Sequence, residues 1–202
     1  MTEPDTDFFA VVRRQRACRA FADRPVGDEL VAQVLAAATF APSAENRQPW
    51  EFVVVRDAAT RARIGDLTRR AWEAGGREFE RHRLPPGLYA DVDRGATGGV
   101  SGAPVLVVVA ADVERGLEAT VPSSIFPAIQ SLLLAATAVG LGSALTTLPT
   151  AFGDDMRDAL GLPEHVQAVA VVPLGWPARP LGPPRRDPVA DHTHREQYGN
   201  GW

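Results

Sequence analysis

The feature that most constrains the fold is a stretch over residues 125–139 that is apolar on nearly every side when it is drawn as a helix. Its large apolar residues are Ile125, Phe126, Ile129, Leu132, Leu133 and Val139. A helix without a polar face has to be covered, because water would otherwise meet apolar surface all round. Gly140 and Gly142 follow, and such glycines are typical of a helix end. The stretch predicts a central helix, buried by the rest of the chain or by a partner chain.

Apolar runs bounded by turn residues predict the strands that accompany this helix. Three of them cover residues 50–55, 104–111 and 166–174, and a shorter run at residues 143–148 predicts a fourth strand. Val53, Val54 and Val55 are apolar in succession, which predicts that the first strand is covered on both faces.

Helical spacing of apolar residues predicts further helices over residues 7–18, 28–40, 58–72 and 154–160. Helices and strands follow one another in mixed order, and the chain shows neither an internal repeat nor a domain linker. We therefore predict one domain over residues 1–202, an α+β or α/β layered fold in which helices flank a small central sheet.

Two segments of the chain do not share this regular pattern. Residues 73–102 carry many charges, glycines and prolines and have no long apolar stripe. Such a segment is either a mobile surface excursion with at most one short helix or a lid over a site. Residues 177–202 are proline-rich and polar, which predicts a C-terminal arm that is either loose or wrapped on a partner.

Charge and composition exclude several classes of protein. The formal net charge of −4 argues against a general nucleic-acid binder. All 21 basic residues are Arg, so Schiff-base and P-loop lysine mechanisms are excluded. Cys18 is the only cysteine, which rules out an intrachain disulfide and a cysteine-based zinc site.

The sequence also predicts a soluble, cytoplasmic protein. Residues 1–8 are acidic and carry no basic region of the kind that begins a signal peptide. The longest apolar run, residues 132–141, is too short to cross a bilayer. A single cysteine fits a reducing compartment.

An unusual loop over residues 41–50 joins the second helix to the first strand. Pro42 and Pro49 fix the backbone at two points, and short polar side chains and backbone N–H groups lie between them, ahead of Trp50. The loop is either a plain surface turn or a stiff wall for a flat polar ligand.

Four arginines within residues 13–19 form the densest charge cluster of the chain: Arg13, Arg14, Arg16 and Arg19. Arg185 and Arg186, near the other end, could converge on the same anion. The cluster is either a phosphate site or a solvated basic helix end.

The glycines at residues 140–142 do not form a dinucleotide-binding motif, because that motif runs from strand to helix and here the order is reversed. Thr146 and Thr147 follow, and either strand propensity or ligand contact explains them. The four histidines lack the spacing of metal ligands, so no metal site is predicted. No serine lies in a GxSxG motif.

Four motifs in this order resemble the nitroreductase-like family of FMN-dependent oxidoreductases. The first is the Arg16–Ala17–Cys18–Arg19 segment with Phe21 after it, and the second is the complete Ala-Pro-Ser-x-x-Asn-x-Gln-Pro-Trp signature at residues 41–50. The third is the helix at residues 130–142, and the fourth is the Gly-Trp-Pro…Arg-Arg-x-Pro ending at residues 175–188. The resemblance covers the whole chain except residues 73–102.

The resemblance implies an intertwined homodimer with an FMN site between the chains. Arg16, Ala17 and Arg19 are expected at the FMN phosphate and ribityl chain, joined by Arg185 and Arg186. Ser43, Ala44 and Asn46 are expected to contact the flavin of the partner subunit. The residues expected along the flavin ring are Leu145, Thr146 and Thr147.

The chain departs from the family pattern at two positions of the phosphate motif. Ala17 stands where a serine is usual, and Gln15 stands at a common basic position. Loss of these groups is expected to weaken FMN binding by about 1–2 kcal/mol per missing hydrogen bond. Arg13 or Arg14 is the expected compensation. The relatives that dehalogenate iodotyrosines use a lysine in their lid, and this chain has none.

The implied function is that of an FMN-dependent oxidoreductase with ping-pong kinetics. NADH or NADPH reduces the flavin, which then reduces a nitroaromatic, a quinone or a similar planar acceptor. No side-chain acid or base is obligatory in such a reaction, so no catalytic residue is predicted. The alternatives are a specialised flavin-dependent dehydrogenase or oxygen-using enzyme of secondary metabolism, and a non-catalytic flavin-binding protein.

Overall fold

The computed structural model describes residues 7–202, so the expectation about residues 1–8 lies almost wholly outside the described part of the chain. The helices are α1 Phe8–Arg14, α2 Asp28–Ala38, α3 Ala58–Ala71, α4 Arg77–Arg81, α5 Pro86–Arg94, α6 Val121–Ala138 and α7 Gly153–Leu160. The strands are β1 Trp50–Val55, β2 Val105–Asp112, β3 Gly142–Ser143 and β4 Val166–Gly175.

The four strands form one antiparallel sheet in the order β1-β2-β4-β3. All eight residues of β2 are buried, since this strand has a neighbour on each side and helices on both faces. β1 lies at the edge of the sheet, and the side chain of Val54 is 39% exposed. The prediction that β1 is covered on both faces was therefore wrong, because an unbroken valine run does not reveal an edge position.

Alternate residues of β2 point to opposite faces of the sheet and divide the core into two layers. On one face, Val107 and Val109 pack with Val34 of α2 and Ile129 of α6. On the other face, Leu106 and Val108 belong to the cluster that includes Ile64 of α3 and Met156 of α7. The predicted arrangement of helices on both faces of a small sheet is thereby confirmed as α+β.

The helix α6 is the central helix that the sequence predicted. Ile125, Ile129 and Leu132 are fully or almost fully buried against the sheet and α2. The helical stretch Glu118–Ala138 is long and apolar enough, by length and composition, to cross a membrane. Its buried residues instead make it the core helix of this domain. Phe126 differs from its neighbours, because 42% of its surface is exposed.

The first helix is shorter than predicted. Asp7 caps it by accepting hydrogen bonds from the backbone N–H groups of Phe9 and Ala10, at 2.9 and 3.2 Å. It ends at Arg14, and the following chain is extended so that Cys18 N–H donates to Ser143 O at 2.8 Å. The chain around Ala17 pairs with β3 instead of continuing the helix. Arg16 and Arg19 therefore do not share a helix face.

Residues 73–102 are more ordered than the sequence indicated. They form α4 and α5, joined to α3 and to β2 by two π-helical turns, Trp72–Gly76 and Gly95–Gly99. Trp72 Nε1 donates to Asp93 Oδ1 at 2.8 Å, which ties the two ends of the segment together. The expectation of at most one short helix was wrong. The two helices are held by individual side-chain contacts, and their sequences have no long apolar stripe that would have revealed them.

The predicted strand at residues 143–148 is also largely absent. Only Gly142–Ser143 pairs as a strand, and Thr146 makes an isolated pair of backbone hydrogen bonds with Val171, at 2.9 and 3.0 Å. The C-terminal arm begins by pairing Ala178 N–H with Ala20 O at 3.0 Å, and its residues beyond 184 are exposed except for Thr193, which is half-buried.

Candidate functional site

A cavity of about 870 Å³ opens beside the loop that follows α1. Four arginines line it, Arg16, Arg19, Arg185 and Arg186, and among the described residues that line it none is acidic. Its lining also includes the apolar residues Leu88 of α5, Leu133 of α6, Ala144 and Leu145. The cavity thus offers both cationic and apolar side chains, and its size is in the range of ligand pockets.

Arg16 and Arg19 differ in their surroundings. Arg16 is exposed, and its Nη1 donates to the carbonyl oxygen of Gly182 at 3.3 Å, which ties the C-terminal arm to this wall. Arg19 is partly buried; burial lowers the pKa of its guanidinium, and the nearby Asp91 carboxylate partly offsets this lowering. A desolvated guanidinium is a strong partner for an anion, because little hydration has to be removed on binding.

Two glycines of the second π-helical turn allow the chain to pack directly on Arg19. A Cβ at Gly95 would lie 2.6 Å from Arg19 Cδ, and a Cβ at Gly99 would lie 2.5 Å from the Arg19 carbonyl oxygen. Any larger residue at these positions would push Arg19 away. Residues 95–99 therefore fix both the backbone and the side chain of Arg19.

A second pocket of about 130 Å³ lies next to Ala144, Leu145 and Thr146 and is also lined by Cys18 and Arg19. The thiol of Cys18 donates to the carbonyl oxygen of Ala20 at 3.2 Å, and burial raises its pKa. The thiol is therefore protonated at neutral pH and is a weak nucleophile.

Leu145 and Thr146 line these pockets, whereas Thr147 does not. Leu145 is part of both walls and is 39% exposed. The hydroxyl oxygen of Thr146 accepts from Leu148 N–H at 3.3 Å. Thr147 is exposed, and its carbonyl oxygen accepts from the Thr150 hydroxyl at 2.7 Å. The predicted pair of threonines is thus divided between a pocket and the surface.

The loop with Ser43, Ala44 and Asn46 lies away from both pockets, against the start of α6. Ala44 N–H donates to Ser124 Oγ at 3.1 Å, and Gln48 N–H donates to Ser43 Oγ at 3.0 Å. The sequence suggested free N–H donors here, but the N–H groups of residues 44 and 46–48 are used within this chain. Glu45, Asn46 and Gln48 all hold positive φ angles, which non-glycine residues rarely adopt, and the stiffness of the loop stays a prediction.

Three potential metal ligands come together at the other end of the sheet, although the sequence predicted no metal site. Ligand atoms of Asp112, Glu114 and His165 lie within 4.8 Å of one another. Both oxygens of Asp112 already have partners, because Oδ1 accepts from Glu114 N–H at 3.0 Å and Oδ2 contacts Arg115 Nε at 3.0 Å. These contacts account for the carboxylate, and we assign no metal to it.

Comparison with known proteins shows which family this chain belongs to. The model of the Nitroreductase family matches residues 12–176. The chain belongs to the nitroreductase family. An NADH dehydrogenase of Thermus thermophilus is 32% identical over 204 residues, covering 93% of this chain and 95% of that protein. The 5,6-dimethylbenzimidazole synthase of Rhodospirillum rubrum is 35% identical over 178 residues, covering 83% of this chain and 81% of the synthase.

Solved structures agree with this family. The crystal structure of a protein from Desulfovibrio desulfuricans, described as a nitroreductase in complex with FMN, is 25% identical and superposes with a TM-score of 0.73. The match covers 96% of this chain and 99% of that chain. The resemblance drawn from the sequence motifs and the predicted nitroreductase-like fold are both confirmed.

In this nitroreductase-family chain, the fold unites part of the predicted site and separates the rest. Arg16, Ala17, Arg19, Leu145, Arg185 and Arg186 line one cavity. Ser43, Ala44, Asn46 and Thr147 lie outside it. Sequence reasoning missed Leu88 and Leu133. Leu133 could not be distinguished from the other apolar residues of its helix, and Leu88 lies in a segment without a recognisable motif.

Proposed function

We propose that this protein is an FMN-dependent oxidoreductase that takes electrons from NADH or NADPH and passes them to a planar acceptor such as a nitroaromatic or a quinone. The observation that carries the proposal is the 870 Å³ cavity, which is lined by four arginines and by apolar side chains. FMN needs both kinds of partner, because it has a phosphate at one end and a flat ring at the other. The donor set therefore fits the cofactor.

The residues of the cavity have distinct tasks in this proposal. Arg16, Arg19, Arg185 and Arg186 bind the phosphate, because guanidinium groups form forked hydrogen bonds with it. Leu145 of this cavity and Thr146 of the adjoining smaller pocket lie along the ring, whereas Thr147, which lies outside both, keeps only the role that the family resemblance implies. Bound FMN supplies the two-electron transfer, while the chain orients the reactants and limits water access. We assign no side-chain acid or base.

The proposal includes a homodimer in which Ser43, Ala44 and Asn46 complete the partner's site. The loop that carries them holds an unusual backbone conformation and lies outside the cavity of its own chain. Phe8 and Phe9 of α1 and Phe126 of α6 are exposed, as expected for an apolar surface that a second copy covers. We place the protein in the cytoplasm, in keeping with its single, reduced cysteine.

The proposal is tested with purified protein that has been reconstituted with FMN. We expect a yellow protein whose flavin absorbance bleaches on anaerobic titration with NADH or NADPH and returns when a nitroaromatic or quinone is added. The preferred nicotinamide is the one that bleaches the flavin at lower concentration. A reconstituted protein that neither nicotinamide bleaches would contradict the proposed activity and would favour a non-catalytic flavin-binding protein.

A second candidate is a flavin enzyme that uses oxygen. The observation in favour of a specialised reaction of this kind is the 35% identity to a protein of R. rubrum that is named as a synthase and not as a nitroreductase. The same preparation distinguishes the two candidates. Rapid reoxidation of the reduced flavin by air, without turnover of nitroaromatics or quinones, would support the oxygen-using enzyme.

A further inference from the structure

A third cavity, of about 180 Å³, adjoins the proposed flavin site. It shares Arg16, Ala17 and Arg19 with the larger cavity, and its other side is formed by Arg94 at the end of α5 and by Arg179 at the start of the C-terminal arm. Arg94 lies in residues 73–102, which the family resemblance does not cover. Arg179 lies within the fourth motif, but between its Gly-Trp-Pro and Arg-Arg members, and the resemblance gave it no role.

The charges around this cavity do not balance. Four guanidinium groups line it, and Asp91 is the single carboxylate among its described lining residues, so the formal balance is four positive charges against one negative. Asp91 Oδ1 lies 3.1 Å from Arg94 Nη1 and 3.5 Å from Arg179 Nη2. An arrangement of this kind is stabilised by an anion, and a phosphate offers the multiple acceptors that several guanidinium groups can share.

The cavity lies beside Ala17, at the segment where the family resemblance places the FMN phosphate. Ala17 and Gln15 lack the hydroxyl and the charge that family members usually have at the FMN phosphate. Arg13, one of the two residues suggested by the sequence as compensation, lies exposed on α1 and lines neither this cavity nor the larger one. Arg94 and Arg179 are the cations that the fold brings to the side of Ala17 instead.

We propose that Arg179 and Arg94 bind the phosphate of FMN and replace the two groups that this chain has lost at positions 15 and 17. The inference rests on the proposed function, since it assigns further residues to the same cofactor site. Asp91 is a positioning residue: in the free protein its carboxylate holds Arg94 and Arg179 at the mouth of the cavity. A phosphate with two negative charges then provides both guanidinium groups with a stronger partner.

The test compares FMN with riboflavin, which has the same ring and no phosphate. Dissociation constants of both are measured by quenching of flavin fluorescence for the wild type and for the variants Arg179→Gln and Arg94→Gln. We expect each variant to weaken FMN binding about tenfold or more, the loss typical of one charge-assisted hydrogen bond. Riboflavin binding should stay unchanged, so the preference for FMN falls by the same factor.

The control is Arg13→Gln, which removes an arginine of the same cluster in the sequence that lies outside the cavity. It should leave the preference for FMN at the wild-type value. Loss of the preference in Arg13→Gln, with no loss in Arg179→Gln and Arg94→Gln, would overturn the inference. A fall in riboflavin affinity equal to that in FMN affinity would also overturn it, because the effect would then not involve the phosphate.

The two proposals fail in different ways in this experiment. A wild-type protein that binds neither FMN nor riboflavin would contradict the proposed function, and the inference with it. A wild type that prefers FMN, together with variants that keep the full preference, would contradict only the roles of Arg94 and Arg179.

Discussion

At the scale of single residues, the contact between Gly99 and Arg19 links the backbone of a surface segment to the proposed cofactor site. The Gly99 position leaves no room for a side chain, because a Cβ there would lie 2.5 Å from the Arg19 carbonyl oxygen. The carbonyl oxygen is part of the backbone and cannot swing aside as the end of a long side chain can. Gly98, its neighbour, has no atom within 4 Å of an added Cβ.

We predict that Gly99→Ala destabilises the protein and Gly98→Ala does not. The added methyl group at residue 99 forces the backbone of residues 19 and 99 apart, which should cost about 1–3 kcal/mol in the free energy of unfolding. At residue 98 the methyl group meets open space, and the loss of chain freedom in the unfolded state should leave stability equal or slightly higher. Urea denaturation at fixed protein concentration measures both. Equal stability of the two variants would refute the close contact.

The residues of the motifs were the easiest part of the site to predict, because each motif has several fixed members. Arg16 and Arg19 came directly from those motifs, Leu145 was implied by the family resemblance, and all three line the cavity. Arg179 and Leu88 could not be found in this way. Each is a common residue type in an ordinary polar segment, and only the folded chain brings it to the cavity.

At the scale of elements, one carboxylate contributes strongly to the attachment of α4 and α5 to the domain. Asp93 Oδ1 accepts hydrogen bonds from Trp72 Nε1 at 2.8 Å and from Arg77 Nε at 3.1 Å. Trp72 is buried, so its indole N–H loses its partner if this carboxylate is removed. The attachment matters for function, because residues 85, 87 and 88 form part of the proposed flavin cavity.

We predict that Asp93→Ala loosens residues 73–102 as a unit. Leaving the indole donor without a partner should lower the free energy of unfolding by about 1–3 kcal/mol. Limited proteolysis should then cut within α4 and α5 sooner than in the wild type. Asp154→Ala is a suitable control, since Asp154 forms only a surface pair with Arg157. Unchanged cleavage in Asp93→Ala would show that the segment is held by other contacts.

This segment also shows why elements were predicted unevenly. Strands β2 and β4 carry long apolar runs, and their pattern gave both their type and their approximate bounds. The helices α4 and α5 are short and polar, and side-chain pairs such as Trp72 with Asp93 help to hold them, without a long apolar stripe of their own. The early end of α1 was missed for a related reason, since its limit is set by pairing with β3, far along the chain.

At the scale of the whole molecule, α1 and α6 carry aromatic residues that are exposed and not buried in the core. Phe8 and Phe9 are 62% and 67% exposed, and Phe126 is 42% exposed on the helix that is most buried elsewhere. Exposed apolar groups of this size favour association with a second copy. The loop at Ala44 contacts Ser124 near the same end of α6, so association and completion of the site would be coupled.

We predict that Phe126→Glu gives a monomer that binds FMN poorly. A charge at this position should oppose burial between two copies, and the loss of the partner's loop should then weaken FMN binding. Light scattering during size-exclusion chromatography gives the mass, and a flavin titration gives the affinity. Phe79→Glu changes another exposed phenylalanine, on α4, and should leave both properties unchanged. A monomeric Phe126→Glu variant with wild-type affinity for FMN would show that one chain holds the cofactor alone.

The strand order has a consequence for the synthesis of this protein. The last strand to leave the ribosome, β4, lies between β2 and β3, so the sheet stays divided until residue 175 has been made. Arg179, Arg185 and Arg186 follow later still. A nascent chain therefore displays an unpaired edge of β2 and has no place for a cofactor. The proposed flavin site is therefore incomplete until residue 186 has been made, and the edge of β2 needs protection from aggregation until β4 is available.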